Sequence, residues 1–277
     1  MKGELMAAIV WDTPGERRYE HGLDRAVLLF PDGGGVAWNG LVSVDENPDV
    51  SIEPFYFDGV KFADFVTLGN FSATMRAYTY PDEFLRYEGL VEDQTGFYLA
   101  NQEPNRFHLT YRTMISDDND PNLGYKIHLL YNLTAVPSTK SRSTMSGAAE
   151  PILFEWALSA IPEELVGYNN TAHIVIDSRE MDPWLLEDIE VILYGDHEHE
   201  PTAPALSGFA SFIRGWQRII ITDHGDGTWT ASTVDEGSVV MLSDTEFQIT
   251  DDNAVFLNAD TYTLSSSDKN EEDIWLP

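Results

Sequence analysis

The sequence predicts a mainly β fold with one flanking α-helix and a small all-β unit at the C-terminal end. Three observations carry that reading. Apolar and polar residues alternate along two neighbouring stretches, 107–113 and 125–129, and a period of two marks a strand with one face turned to a core. Short apolar runs elsewhere are separated by Gly, Pro, Asn and Asp clusters, which punctuate strands. Only the stretch from Asp182 to Gly195 has the caps and stripe of a good helix.

In chain order, residues 26–30 form an apolar run stopped by Pro31-Asp32-Gly33-Gly34-Gly35, and residues 36–44 return beside it as the second strand of a hairpin. Residues 71–80 are strand-like, and Pro81 opens a single helical turn over 81–85, its fixed φ suiting a first helical position. The two alternating stretches pair as a hairpin. Residues 116–123 between them are too long for a tight turn and too charged for burial, so they form a projecting acidic loop. Strands follow at 151–160 and 172–177. In the helix, Asp182 is the N-cap, Pro183 the first residue and Gly195 the residue beyond the end. Leu185, Leu186, Ile189 and Leu193 form its apolar stripe, with Glu187, Asp188 and Glu190 on the opposite face.

Residues 196–215, rich in Pro, Ala and Gly, read as a linker between a first domain over 1–215 and a C-terminal extension over 216–277. The extension holds 13 acids against Arg218 and Lys269, and its short apolar runs (218–222, 228–231, 239–242, 246–249, 255–257 and 261–264) recur every 8 to 12 residues, the spacing of a small sandwich or barrel. A unit of roughly 60 residues with no disulfide or metal is marginal in stability unless it docks.

Composition narrows the function. The chain has 277 residues, 47 Asp and Glu against 16 Lys and Arg, a formal net charge of −31, and no cysteine. A disulfide scaffold, a cysteine zinc site, an iron–sulfur cluster and a thiol nucleophile are excluded. So is a protein built to grip a nucleic-acid backbone, which needs clustered Lys and Arg. The apolar run at 5–10 is too short for a secretory h-region, and nothing approaches the roughly 18 apolar residues of a membrane span.

No pattern assembles an active site. Asp196-His197-Glu198-His199-Glu200 is the densest set of metal-ligand types, but it lies in the linker, where no scaffold fixes its geometry. It reads as a solvated loop. Asp118-Asn119-Asp120 lacks the spacing, central Gly and distal Glu of a calcium loop. Gly33-Gly34-Gly35 is followed by Val36-Ala37-Trp38 rather than Gly-Lys-Ser/Thr, so it is a turn and not a phosphate cradle. No Gly-x-Ser-x-Gly occurs. A carboxylate pair for glycoside hydrolysis is not excluded by a chain with 47 acids, though acids this abundant usually solvate a surface. No cofactor, metal or catalytic residue is assigned, and the chain is expected not to be an enzyme.

The scarce cations are more informative. His108, Arg112, Lys126 and His128 are placed on one face of the proposed hairpin. Such a face is either a half-buried polar sheet surface or a contact where these cations meet acids of a neighbouring subunit. The subunit-contact candidates are therefore Arg76, His108, Arg112, Lys126 and His128, with Asp117, Asp118 and Asp120 of the acidic loop reaching an adjacent copy.

Several blocks resemble one known family in order along the chain. They are Trp11-Asp12-Thr13-Pro14-Gly15-Glu16-Arg17-Arg18-Tyr19-Glu20-His21-Gly22-Leu23-Asp24-Arg25-Ala26-Val27-Leu28, Pro31-Asp32-Gly33-Gly34-Gly35-Val36-Ala37-Trp38-Asn39-Gly40-Leu41, Ala77-Tyr78-Thr79-Tyr80-Pro81-Asp82-Glu83-Phe84, Leu109-Thr110-Tyr111-Arg112-Thr113, and Gly124-Tyr125-Lys126-Ile127-His128-Leu129-Leu130-Tyr131-Asn132 with Pro137-Ser138. Ile174-Val175-Ile176-Asp177-Ser178 and Ile192-Leu193-Tyr194-Gly195 follow. Together they cover about the first 200 residues and resemble the major tail proteins, or tail tube proteins, of long-tailed (siphovirus-type) phages infecting actinobacteria. Ile221-Thr222-Asp223-His224-Gly225-Asp226-Gly227-Thr228-Trp229-Thr230-Ala231 is similar to the start of a C-terminal extension on some of them.

The resemblance implies a tail tube β-sandwich or barrel flanked by a helix, assembling through strands into hexameric rings that stack as a tube. DNA leaves the capsid through that tube without specific binding. It also implies a virion protein of the phage tail, assembled in the host cytoplasm, with other copies of itself and the tape measure, distal tail and terminator proteins as partners and no membrane. Two other classes remain open on the residues: a glycan-binding virion module, and a soluble halophilic β-sandwich enzyme whose surface acids serve solvation. Only the tube reading predicts rings or tubes.

Overall fold

The computed structural model describes residues 10–216, apart from 48–49, 70, 138–139, 141, 143 and 145–150, and beyond them the backbone of short strands between 219 and 274. The expected apolar start at 5–10 (all but Val10), Arg218 and the strand expected at 255–257 lie outside the described residues. Two compact units are present, residues 1–203 and residues 204–277.

The first unit is mainly β and antiparallel. Its principal sheet runs β2 (Gly35–Ala37), β1 (Tyr19–Leu29), β9 (Phe107–Ser116), β10 (Gly124–Pro137), β11 (Phe154–Ala160), β6 (Ser72–Ala77) and β3 (Leu41–Asn47), with β12 (His173–Asp177) also paired to β10. The 14-residue strand β10 serves two neighbours. Residues 126–130 pair with β12 and residues 133–137 with β11. The change falls at a bulge where Asn132 takes a positive φ of 49°, a conformation Asn tolerates better than most residues.

Both faces of the central strands are covered. One face is lined by Leu28, Met75, Phe107, Leu109, Leu130, Trp156 and Leu158. It is closed by Trp38 and by Phe84 and Tyr87 of the 3₁₀ turn Asp82–Glu88. Trp38 meets Phe84 at 4.6 Å and Trp156 at 5.9 Å between ring centroids, tilted and edge-on geometries that favour aromatic pairs. The other face carries Val27, Leu29, Ile127, Leu129 and Tyr131. Helix α1 (Pro183–Tyr194) lies over it, burying Leu185, Ile189 and Leu193. As expected, the Asp182 side chain accepts from the Trp184 N–H and Pro183 opens the helix.

Four sequence expectations change. The run 36–44 divides at Gly40, where φ is +90°; 35–37 stays with β1, and 41–47 becomes the far edge strand beside β6. Glu190 is turned inward, accepting from the Tyr125 hydroxyl at 2.6 Å. His108 and Arg112 do not share a face with Lys126 and His128: Tyr111 stands opposite His128 and Thr113 opposite Lys126, so the even residues of β9 look the other way. Residues 206–215, read as linker, form helix α2 (Leu206–Gly215) in the second unit.

That second unit also holds β13 (Ile219–Asp223) paired with β14 (Trp229–Thr233) and β18 (Asp273–Ile274), and β15 (Val239–Ser243), β16 (Glu246–Ile249) and β17 (Thr261–Thr263) as a second three-stranded sheet. Strands are present within the expected extension over 216–277.

One element without a sequence expectation stands largely in solvent. Among the described residues, strands β4 (Val50–Phe57) and β5 (Val60–Leu68) pair only with each other. They continue β3 and β6 beyond the sheet edge, from Asn47 opposite Ser72 to Val50 opposite Leu68. Asp58 (φ 49°) and Gly59 (φ 75°) form the tip, the two positive φ values of a tight hairpin turn matched to strand twist. At about 3.3 Å per residue, eight residues extend roughly 26 Å.

Candidate interaction surfaces and a buried histidine pair

The overhanging hairpin carries large apolar side chains in solvent. Phe62 is 77% exposed, Val60 69%, Phe57 64% and Phe65 60%, and Ile52, Tyr56 and Val66 are comparably open. Phe55 packs edge-on against both Phe62 and Phe65. A second ribbon, β7 (Val91–Gln94) with β8 (Phe97–Leu99), exposes Val91, Phe97, Tyr98 and Leu99. An apolar patch of this kind marks an interaction surface. A two-stranded hairpin without a packed face gains little stability of its own in water, so the overhang depends on its continuation from β3 and β6.

The sequence-selected cations are paired within the chain. Arg76 on β6 donates through Nε to Glu155 on β11 at 2.6 Å and also bonds Asp45 on β3, tying the three strands toward the end of β6 away from the hairpin. Arg112, 7% exposed, makes a bidentate pair with Asp24 at 2.9 and 2.8 Å. Its guanidinium lies 4.3 Å over the Tyr125 ring and 3.8 Å from Glu190 of α1. The pairing holds Asp24 below the usual carboxylate range, chiefly through the Arg112 hydrogen bonds. Lys126 bonds Glu20 on β1.

His108 is buried beside the β10 bulge. Its Nδ1 accepts the Asn132 backbone N–H at 3.3 Å, satisfying a donor that the bulge takes out of the ladder. Burial pushes its pKa down, with the Glu163 carboxylate opposing.

The acidic loop is organised from within. Asp117 accepts from the Asn119 and Asp120 N–H groups, both at 2.7 Å, and Asp120 from Asn122 N–H at 2.8 Å, the side-chain-to-backbone turns these residues favour. Asp118 accepts from the Gly15 N–H at 2.8 Å. Asp118 and Asp120 are exposed, whereas Asp117 is 9% exposed. At the loop base His21 Nε2 meets Ser116 Oγ at 2.6 Å. That hydroxyl donates to the Pro121 carbonyl at 2.6 Å, so the imidazole donates to Ser116 instead of taking its proton, the reverse of nucleophile activation.

His128 lies elsewhere than the sequence placed it, on the core side of β10. Its ring stacks on Tyr111 at 4.8 Å with 3° between planes. Its Nδ1 stands 3.1 Å from His173 Nε2 on β12, and its Nε2 3.1 Å from Thr113 Oγ1. Glu46 of β3 completes the group, 3.7 Å from each histidine, and accepts the Tyr111 hydroxyl at 2.9 Å. Burial first, and His173 second, push His128 down to about 4. Glu46, His128 and His173 are the one group of this kind whose ligand atoms converge among the described residues, all within 4.8 Å. In the Asp196–Glu200 stretch, Asp196 accepts from His199 Nδ1 at 2.9 Å and from the Glu198 and His199 N–H groups, an exposed turn that does not draw in His197 or Glu200.

Neither a protein-family model nor a curated protein matches the chain. Among solved structures, it is similar in outline to a chain of the PVC sheath–tube complex of an extracellular contractile injection system in its extended state, at 12% identity over 60% of this chain and 93% of that one, with a TM-score of 0.32. A chain of the anti-feeding prophage cap gives 15% identity over 62% and 95%, TM-score 0.29. A chain of the anti-feeding prophage baseplate gives 11% over 61% and 97%, TM-score 0.30. Likeness this shallow identifies no family.

Proposed function

We propose that the chain is a structural protein whose copies associate into rings, hexameric by the family resemblance, that stack as the tail tube of a long-tailed phage and pass DNA without specific binding. The observation that carries this is the β4–β5 hairpin: an apolar ribbon rooted in the sheet, extending about 26 Å past its edge and lacking a second layer of its own. A second copy is the occupant that fits. A chain of net charge −31 repels copies of itself at long range, so its association needs local apolar contacts to offset that repulsion. The ordered blocks of tail-tube-like sequence support the same reading. On it, the acidic loop at 117, 118 and 120 and the region around Arg76 and Lys126 border neighbouring copies, other tail proteins bind the tube ends, and residues 216–277 are an addition dispensable for the tube.

Negative-stain microscopy and sedimentation of the full chain test this. Rings or tubes are expected for the native sequence, and monomers for the triple variant Phe57→Ser, Phe62→Ser, Phe65→Ser, with an unchanged circular dichroism melt. A six-fold ring would carry 6 × 31 = 186 formal negative charges, so assembly should increase with salt as the Debye length shortens from about 30 Å at 0.01 M to about 10 Å at 0.1 M. A native chain that stays monomeric at all salt and protein concentrations overturns the proposal.

A further inference from the structure

We propose that Glu46, His128 and His173 form a divalent-metal site, with zinc as the ion that fits best. Two imidazoles and one carboxylate are a favoured zinc donor set with room for a solvent ligand. Nitrogens on a tetrahedral zinc stand roughly 3.3 Å apart, given Zn–N distances of about 2.0–2.1 Å, and His128 Nδ1 and His173 Nε2 are already 3.1 Å apart. Glu46 is the most open of the three, its side chain 37% exposed against 10% for His128 and 18% for His173, so the ion has an entry path on its side.

The proton count points the same way. In the arrangement where the Thr113 hydroxyl donates to Glu20, 3.3 Å away, it accepts from His128 Nε2–H. That fixes the tautomer and leaves a lone pair on His128 Nδ1. With both rings neutral, His173 Nε2–H must bond that lone pair, and His173 Nδ1 then turns a second lone pair toward Glu46 Oε2, 3.7 Å away, where neither side has a proton to give. A cation on Nδ1 of His128 and Nε2 of His173 removes the conflict. The His173 proton moves to Nδ1, where Glu46 Oε2 accepts it, while Oε1, which also accepts the Tyr111 hydroxyl, ligates through its remaining lone pair. Thr113 behind His128 and Tyr111 behind Glu46 are the outer partners such ligands usually have. The ion would join β3, the strand that runs on into the overhanging hairpin, to β10 and β12.

The full chain, prepared without a histidine tag, should take up one equivalent of zinc in competition with a chromophoric chelator. Cobalt should bind with the strong visible absorption of a low-coordinate N/O site, and the melting temperature should rise with added metal. Glu46→Gln and His173→Gln should each abolish stoichiometric binding, and Thr113→Val should weaken it about 10- to 100-fold. The double variant His197→Ala, His199→Ala should bind like the native chain. Absence of stoichiometric binding, binding that survives Glu46→Gln or His173→Gln, or binding lost in the His197/His199 variant would overturn the site; should one ligand variant fail to fold, the other decides.

Discussion

Two antiparallel hairpins of this chain make opposite use of the same backbone. In β9–β10 the central residues are buried on both faces, between the aromatic core on one side and helix α1 on the other. In β4–β5 the side chains of both faces stand in solvent. Ladder hydrogen bonds are common to both and do not distinguish them. What differs is the covering layer, and the comparison shows that strand pairing supplies shape while burial supplies most of the stability.

The largest contrast is in the cost of truncation. Leu109→Ala, at a fully buried position, should lower stability by about 2–5 kcal/mol. Phe62→Ala removes a larger side chain at 77% exposure and should change the isolated chain by no more than about 0.5 kcal/mol. Urea unfolding under conditions that keep the chain monomeric reads both. An equal cost would mean that the hairpin is already covered within one chain.

Ion pairs sharpen the contrast at the next level. Asp24→Ala strips the nearly buried Arg112 of its bidentate partner. A fully buried pair broken this way costs about 3–5 kcal/mol, but Asp24 is half open to solvent, so about 1–3 kcal/mol is expected after screening. Lys61→Ala, which breaks the exposed pair with Asp64 on the overhang, should leave the denaturation midpoint unmoved.

The smallest effect concerns pH. His108 has its pKa depressed by burial, so the folded chain takes up a proton less readily than the unfolded one. Its contribution is therefore complete above the ordinary value near 6.5 and is lost as pH falls from there toward the depressed folded value. Between pH 7 and 5, His108→Gln should flatten the decline in stability. The overhang carries no buried histidine, so its Phe62→Ala variant should keep the native slope.

Much of the principal sheet was legible because it obeys simple rules. Alternation marked β9 and β10, and Asp182, Pro183 and Gly195 marked α1. The overhanging hairpin was not legible, because a ribbon exposed on both faces has no period to detect, and its Phe55-Tyr56-Phe57 run obscures what alternation remains. Its one clear signal was the Asp58-Gly59 turn. Helix α2 was hidden by the Pro and Gly around it, although Leu206, Phe209 and Ile213 fall at helical spacing. The histidine cluster could not be seen at all. Glu46, His128 and His173 are far apart in sequence and meet only because β10 pairs with β12 while β3 lies within reach of Tyr111. The sorting of His108 and Arg112 from Lys126 and His128 likewise depends on pairing register, which composition does not encode.

The two-sided burial of β9 and β10 has a consequence for how the strands find their alignment. When a strand hides one oily face, slipping by one residue throws that face into water and is forbidden on that ground alone. Here a slip of β10 would exchange Leu130 for Ile127 and Leu129, and hydrophobicity would barely object, whereas a slip of β9 would turn His108 and Arg112 toward the aromatic core. The discrimination passes to the few charged and polar side chains spaced along these strands. Arg112 finds Asp24, Lys126 finds Glu20, and His128 finds Thr113 and His173 in only one alignment. These residues act as keys in a lock, choosing a single threading of the sheet from near-degenerate alternatives, at little gain in strength.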